Sequence, residues 1–384
     1  MCSVIAGVRA INRAGLSKHL RARNDFLTEE ALVSLFTRGL KKPKYLISDF
    51  DSDTDIIDIL PKGYVLLKVD TINEGIDFPW DADMQAAGYF CASTALTDIA
   101  ACGGEPLGVL AGWSIPRDLS RSTIVALSSG FRECLQNAGT YLLGGDTNYS
   151  DEFALSVVCV GQVPKVSLMT RHGAQEGDRV GLVGESGRFN AGYIAHHELK
   201  ASRGVYRQML VQRPMLVEGR ILGRSRLASS CTDTVDGLEK SLRLLCESSN
   251  TGALIDDEAI KLSHIAGAIA RRNHMSRLEM ASKPAGDLCL LFTCPEAHRL
   301  QIETSIPGRV SWIGQLTCSK GITLNLKGKA SSSGRMGFSH GPSTKLFPSG
   351  ARARADAHRT YGPRHVSHLM SNVRLKYILH QLAP

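Results

Sequence analysis

The sequence predicts an α/β or α+β protein of two domains, and three observations carry that prediction. The chain has 384 residues, enough for two ordinary domains. Its first half alternates apolar, β-branched runs with small-residue or amphipathic segments closed by glycine. A polar stretch near 165–180, VPKVSLMTRHGAQEGD, separates this alternation from a second one that opens with DRVGLVG. The predicted divisions are an N-terminal extension over 1–26, domains over 27–165 and 166–330, and a basic, disordered tail over 331–384.

The elements follow in order. Thr28 before EEALVSLFTRGL predicts a capped helix, because the hydroxyl accepts a free backbone N–H and acids favour the first turn. YLISDF (45–50) and YVLLKVD (64–70) predict buried strands joined by the acidic loop DFDSDTDIID. Residues 83–102 predict a small-residue helix ended by Gly103 and Gly104, and LGVLAGWSI (107–115) a strand. SRSTIVALSSGFRECLQNAG (120–139) predicts an amphipathic helix, and YLLGGDT and ALSVVCVGQV two further strands. In the second half, helices are predicted near 189–200, 236–249 and 257–272, with strands at DRVGLVG, DLCLLFTC, RVSWIGQLT and GITLNL. The tail lacks periodicity from about 331, apart from one short amphipathic pattern in SHLMSNVRLKYILHQL.

Composition excludes several classes. Hydrophobic residues make up 43%, and no apolar run approaches the roughly 20 residues of a membrane helix. The N-terminal residues lack an apolar core with a small-residue cleavage site, so no secretory signal is predicted. Ten cysteines lie scattered without a C-x-x-C pair, several inside apolar runs, which predicts reduced core thiols and a cytoplasmic protein. The net charge of +8 is a tail property: residues 320–384 carry eleven Lys/Arg and one acid, leaving about −2 on the rest. That distribution suits a solvated extension better than a nucleic-acid-binding face.

The residues with chemical promise are aspartates at strand ends or beside glycines: Asp51, Asp53, Asp55, Asp70, Asp98, Asp146, Asp233 and Asp236. Strand ends converge on one rim of a sheet, and carboxylates gathered there repel unless a cation lies between them. Oxygen donors without thiol or imidazole suit Mg²⁺, which favours carboxylates together with substrate phosphates. Any one of these residues taken alone fits a turn or cap better than a metal ligand. The sequence has no G-x-x-x-x-G-K-[ST], H-E-x-x-H or G-x-S-x-G motif.

The ordered strings VDTINEGIDF, ALTDIAACGGEP, LLGGDT, MTRHGAQEGD, DTVDGL, GDLCLLFT and WIGQLT resemble the thiamine-monophosphate kinases of the aminoimidazole-ribonucleotide-synthetase (PurM-like) superfamily. The resemblance runs from about residue 27 to about 340. It implies a two-domain PurM-like fold whose N-terminal sheet completes a barrel across a homodimer. It also implies ATP with several Mg²⁺ ions in the cleft, and direct transfer of the γ-phosphoryl to a small-molecule acceptor. By position, Asp53, Asp70, Asp98, Asp146, Asp233 and Asp236 match metal-binding acids, with Asp51 and Asp55 competing for the place of Asp53. Gly144, Gly145 and Asp146 fall in the ATP-contacting G-G-D, Arg171 matches an arginine on the ATP phosphates, and Asp236 also lies at the nucleotide. Asp98, Asp146 and Arg171 would carry catalysis.

The departures are specific. The family's G-D-D-A-A reads SDTDI here, and two hydroxyl residues before the Asp70 position are Lys68 and Val69. An ammonium at 68 is expected to take the place of one metal ion. The serine of D-x-S-D-G-L is Val235, which removes a nucleotide hydrogen bond of about 0.5–1.5 kcal/mol. On the acceptor side, the family's histidine is Asp77, its glutamate is Gly286, and its late aromatic matches Phe338. The reading is therefore a retained ATP and Mg²⁺ site with a changed acceptor. Two alternatives remain open at this point: a ring- or amide-forming synthetase of the same superfamily, and an inactive nucleotide-binding regulator.

Overall fold

The computed structural model describes residues 35–37, 41–48, 54–199, 203–284, 286–326, 329–332 and 346–361. Of the helix expected after Thr28, residues 35–37 fall within this range and are helical. The extension over 1–26, Asp51, Asp53, Phe338 and the amphipathic pattern at 367–382 lie outside the described residues.

The first unit contains β1 (Asp55–Leu60), β2 (Gly63–Asn73), α1 (Met84–Ala101), β3 (Glu105–Pro116), α2 (Arg121–Ala138), β4 (Leu142–Ser150) and β5 (Ala154–Pro164). Its five strands lie in the order β1-β2-β5-β3-β4. β3 and β4 are parallel, joined through α2, and the other neighbours are antiparallel. The end of the acidic loop expected over 49–58 becomes strand from Asp55, while of the strand expected at 45–50 only a short bridged stretch lies within the described residues. Leu46 makes a single bridge to Ile57, whereas Asp55–Leu60 pairs with β2 through a turn at Pro61 and Lys62. The hairpin connection sets β1 against the eleven-residue β2, and the apolar run bonds to the other edge of β1, where the Ile47 N–H donates to the Ile56 carbonyl at 2.9 Å and the Asp58 N–H to the Tyr45 carbonyl at 2.7 Å.

α1 packs on β2 and β5 on one side and on the second unit on the other, so its residues are buried from Ala86 to Ala101. That all-round burial is what its small, uniformly apolar sequence dictates. Asp83 caps its start by accepting from the Gln85 N–H. α2 crosses α1 at a pair of glycines. A Cβ on Gly88 would stand 1.9 Å from the Leu127 carbonyl oxygen, and one on Gly130 1.7 Å from that of Gln85.

The second unit begins with β6 (Arg179–Val183), α3 (Arg188–Leu199), α4 (Arg203–Leu210), α5 (Leu216–Ser225), β7 (Ser230–Asp233) and α6 (Leu238–Ser248). It continues with β8 (Gly252–Asp256), α7 (His264–Arg272), α8 (Arg277–Met280), β9 (Leu290–Cys294), α9 (Arg299–Ser305), β10 (Val310–Thr317), β11 (Gly321–Leu326) and β12 (Lys329–Ser332). Seven strands form the order β12-β11-β8-β10-β6-β9-β7. The pairings bring Asp233, Leu290, Val183 and Val310 to one edge of this sheet, which faces the junction with α1. One apolar cluster is continuous across both units, and a second fills the far side of the seven-stranded sheet.

The tail departs from the disorder expected of it. β12 extends the second sheet, and residues 346–361 fold back onto the first unit and include α10 (Gly350–Tyr361). The Phe347 N–H donates to the Gly75 carbonyl, and its buried ring packs among Phe189, Tyr193, His196 and His197. Arg354, 4% exposed, clamps Glu74 through both carboxylate oxygens at 2.8 Å and also donates to Asp118 and to the Asp151 carbonyl. One aromatic ring and one guanidinium anchor the segment, and neither produces a periodic pattern.

Candidate functional site

Alternation along β2 turns Leu66, Lys68, Asp70 and Ile72 to the face covered by α1, with Leu66 and Ile72 buried there. Lys68 Nζ lies 3.2 Å from Asp70 Oδ1 and 3.2 Å from Asp98 Oδ1, the latter on α1 and 3% exposed. Asp233, at the end of β7 and 8% exposed, adds its charge from the second unit. Burial opposes the charge on Lys68, but Asp70, Asp98 and Asp233 together hold its proton well above the ordinary lysine range. Burial pushes Asp98 well up against the opposing pull of Lys68. Asp233 is pushed up to about 6 by burial, which the Asp236 charge reinforces and Lys68 and Arg171 oppose.

The rim of this cluster carries further charges. Arg171 Nε donates to Thr232 Oγ1 at 3.4 Å, beside Asp233. Lys240 lies 2.6 Å from Asp236, an i,i+4 pair across the first turn of α6. Asp55, at the start of β1, feels Lys68 as a neighbouring charge. The structure therefore gathers Asp70, Asp98 and Asp233, with Asp236, Arg171 and Asp55 around them. Lys240 is the member that sequence reasoning missed, although its spacing to Asp236 was a readable signal.

Asp146 does not join them. It pairs in register with Gly112, Gly112 with Ser156, and Ser156 with Thr71, so it stands in the row of Thr71, one step out of phase with Asp70. Its carboxylate accepts from Asn148 Nδ2 at 2.6 Å. Gly144 and Gly145 precede it on the same exposed edge strand. Gly145 needs its lack of a side chain, since its φ is 157° and a Cβ would stand 2.0 Å from the Ala111 oxygen.

Of the residues expected at the acceptor, Asp77 sits in the turn after β2 and accepts from the Asn73 N–H at 2.7 Å. Burial pushes its carboxyl up to about 7, opposed by that N–H and reinforced by the Asp70 charge. Gly286 is buried at a φ of 140°, and a Cβ there would stand 2.3 Å from the ring of Phe189. No glutamate fits there, because the Phe189 ring, packed on Phe90 and Phe347, fills the space. The neighbouring Asp287 accepts from the N–H groups of Gly187 and Phe189, and so caps α3.

Among the described residues, no group of three or more His, Cys, Asp and Glu side chains is arranged to hold a metal ion. Lys68 accounts for this between Asp70 and Asp98. Its ammonium already contacts both carboxylates, and a divalent ion does not fit there beside it.

Residues 51–163 match the family model described as AIR synthase related protein, N-terminal domain. A thiamine-monophosphate kinase of Halobacterium salinarum is 26% identical over 264 residues, which covers 68% of this chain and 88% of the relative. One from Archaeoglobus fulgidus is 27% identical over 282 residues, with coverages of 72% and 86%. Among solved structures, AaThiL complexed with AMPPCP and TMP superposes with a TM-score of 0.70 at 23% identity, covering 82% of this chain and 97% of that one. The HypE–HypF complex gives 0.66 at 15% identity, with coverages of 79% and 99%. The fold is the one these structures share, with two mixed α/β sheet units.

Proposed function

We propose that this chain, a thiamine-monophosphate-kinase-like protein of the AIR-synthase-related (PurM-like) superfamily, uses Mg-ATP to phosphorylate a small molecule other than thiamine monophosphate. The observation that carries this reading is the convergence of Asp70, Asp98 and Asp233, from a strand, a helix and a strand of two different sheets, on one lysine. Asp98 and Asp233 are buried and Asp70 is partly exposed, and carboxylates gathered with perturbed proton affinity mark a candidate functional site. Phosphoryl transfer asks the protein mainly for alignment and compensating charge. In this reading Lys68, Arg171 and Lys240 are the cations that this chain contributes around the transferred group. Magnesium enters with the nucleotide, in fewer copies than the number of aspartates suggests, and no step is assigned to an ion between Asp70 and Asp98.

The acceptor is the part that differs. Asp77 replaces an imidazole with a carboxyl, and the Phe189 ring takes the space of the missing glutamate, so a cationic or hydroxylated acceptor suits this side better than thiamine monophosphate. We also infer that a second copy covers β4, completing a barrel. The strand is exposed from Leu142 to Tyr149 and presents Leu142, Leu143 and Tyr149 to solvent along an unpaired edge. The role of Asp146 then depends on what covers that strand. A reduced, cytoplasmic setting is in keeping with the nine described cysteines, all free and all buried but Cys318.

The test is ADP release from Mg-ATP with thiamine monophosphate as sole acceptor, with Asp98→Asn as control and nucleotide binding measured in parallel. The reading expects ATP to bind and thiamine monophosphate to give no acceptor-dependent ADP, while a cationic or hydroxylated acceptor does. ADP that depends on thiamine monophosphate and vanishes in Asp98→Asn would overturn the changed acceptor but keep the kinase. ADP appearing with free phosphate would favour the ring-forming synthetases. Loss of nucleotide binding would sink the phosphotransferase reading.

A further inference from the structure

A cavity of about 630 Å³ opens between α1 and the loops at the edge of the seven-stranded sheet. Four cations from four separate segments line it: Arg188 at the start of α3, Arg213 before α5, Lys261 before α7 and Arg309 before β10. Two glutamates hold them in place. Glu185 pairs with Arg188 at 3.3 Å and with Lys261 at 3.2 Å. Glu218, buried beneath, takes Arg213 through both carboxylate oxygens and Arg309 at 3.5 Å. The wall keeps a balance of +2 over these six groups, and it stays positive when Asp287, engaged with two backbone N–H groups behind it, is counted. Tyr89 and Met215 supply an apolar side.

We propose that this cavity is a second binding site, for a small phosphate monoester with a flat or apolar body, distinct from the nucleotide cleft. Guanidinium groups fixed by carboxylates meet a phosphate with little loss of freedom and two oxygens at a time. The volume falls in the range that encloses a small organic ligand, about 300–1,000 Å³. The two sites are separate along α1. Tyr89 and Asp98 are nine residues apart, about 13–14 Å along the helix axis. The proposal does not depend on the acceptor assigned above, nor on whether the enzyme turns over.

The experiment uses the full chain with its nucleotide cleft saturated by a non-hydrolysable ATP analogue. 1-Naphthyl phosphate is titrated by calorimetry, with uncharged 1-naphthol as the comparison. The phosphate should bind at one site per chain and 1-naphthol should not. Arg188→Gln and Lys261→Gln should each weaken binding about 10- to 100-fold, the effect of losing one charged hydrogen bond. Nucleotide affinity should be unchanged in both. If Arg188→Gln fails to fold, Lys261→Gln still decides, because that side chain is 49% exposed and its loss disturbs no packing. Equal binding of 1-naphthol, unchanged binding in the variants, or no binding to the folded wild type would each overturn the proposal.

Discussion

Lys68 and Asp77 flank Asp70 along one stretch of chain, and both hold their protons more firmly than free side chains do. For Lys68 the cause is the three carboxylates around it, so removing the ammonium leaves Asp70 and Asp98 facing each other without a cation. Lys68→Thr should therefore bind one more Mn²⁺ per chain in the presence of an ATP analogue, as counted by electron paramagnetic resonance. An unchanged count would refute the lysine's role as a built-in counter-ion. For Asp77 the cause is burial, and the sign follows from linkage. A carboxyl raised from 3.8 to about 7 adds stability below the unfolded pKa and loses it as pH climbs through about 7. Its contribution should fall by up to about 1.4 kcal/mol per pH unit between pH 4 and 7. Asp77→Asn should flatten that slope in urea unfolding measured across the range. Both residues were legible beforehand, because each departs in charge from a recognisable pattern. Gly286 was legible only as a loss. Its reason, the Phe189 ring in the space a side chain would need, depends on residues almost a hundred positions apart.

Some elements with their own signal were read well, but α4 and α5 were missed, the helix expected at 257–272 is α-helical only over His264–Arg272, and elements that lean on distant partners were not read. α1 and α2 carry a capping Asp83 or Ser120 and a closing glycine, and their boundaries fall within a residue or two of the expected ones. β7 and β8 are too short to show a period, and β1 is decided by its hairpin turn. α10 is the clearest miss, since its docking rests on Phe347 and Arg354 meeting groups far away in sequence. The clamp is strong in consequence. Among the described residues, Arg354→Ala leaves Glu74 with the Trp80 N–H at 2.7 Å and the Gly350 N–H at 3.1 Å but no cation, a buried uncompensated charge. We expect a loss of about 3–5 kcal/mol in chemical denaturation. Adding Glu74→Gln should restore part of it, and no rescue would mean that the ion pair is not the source.

At the scale of the whole molecule, the two units share one apolar cluster through α1, and the carboxylate cluster sits at that junction. Among the described residues, β4 is an edge strand open to solvent along its length. An exposed edge strand carrying Leu142 and Leu143 is a template for pairing with another chain unless it is covered or blunted. Sedimentation should find a dimer at micromolar concentration, and Leu142→Lys should weaken it at least about 10-fold through a desolvated charge. A wild-type chain that sediments as a monomer would count against the barrel. That the strand exists was plain from YLLGGDT, whereas its exposure on both faces was not, because an apolar run reads the same whether it is covered by its own chain or by another.

The contact between Glu74 and Arg354 also sets an order of events during synthesis. The two residues are 280 positions apart. At roughly 5–20 residues per second, a ribosome makes Glu74 about 15–60 s before it makes Arg354. Throughout that interval the first sheet can pair its strands and cover them with α1, but the acid next to Trp80 has no cation to meet. We expect the turn bearing Asp77 to settle only once α10 is available, so that a nascent chain stalled before residue 354 should remain a client of chaperones.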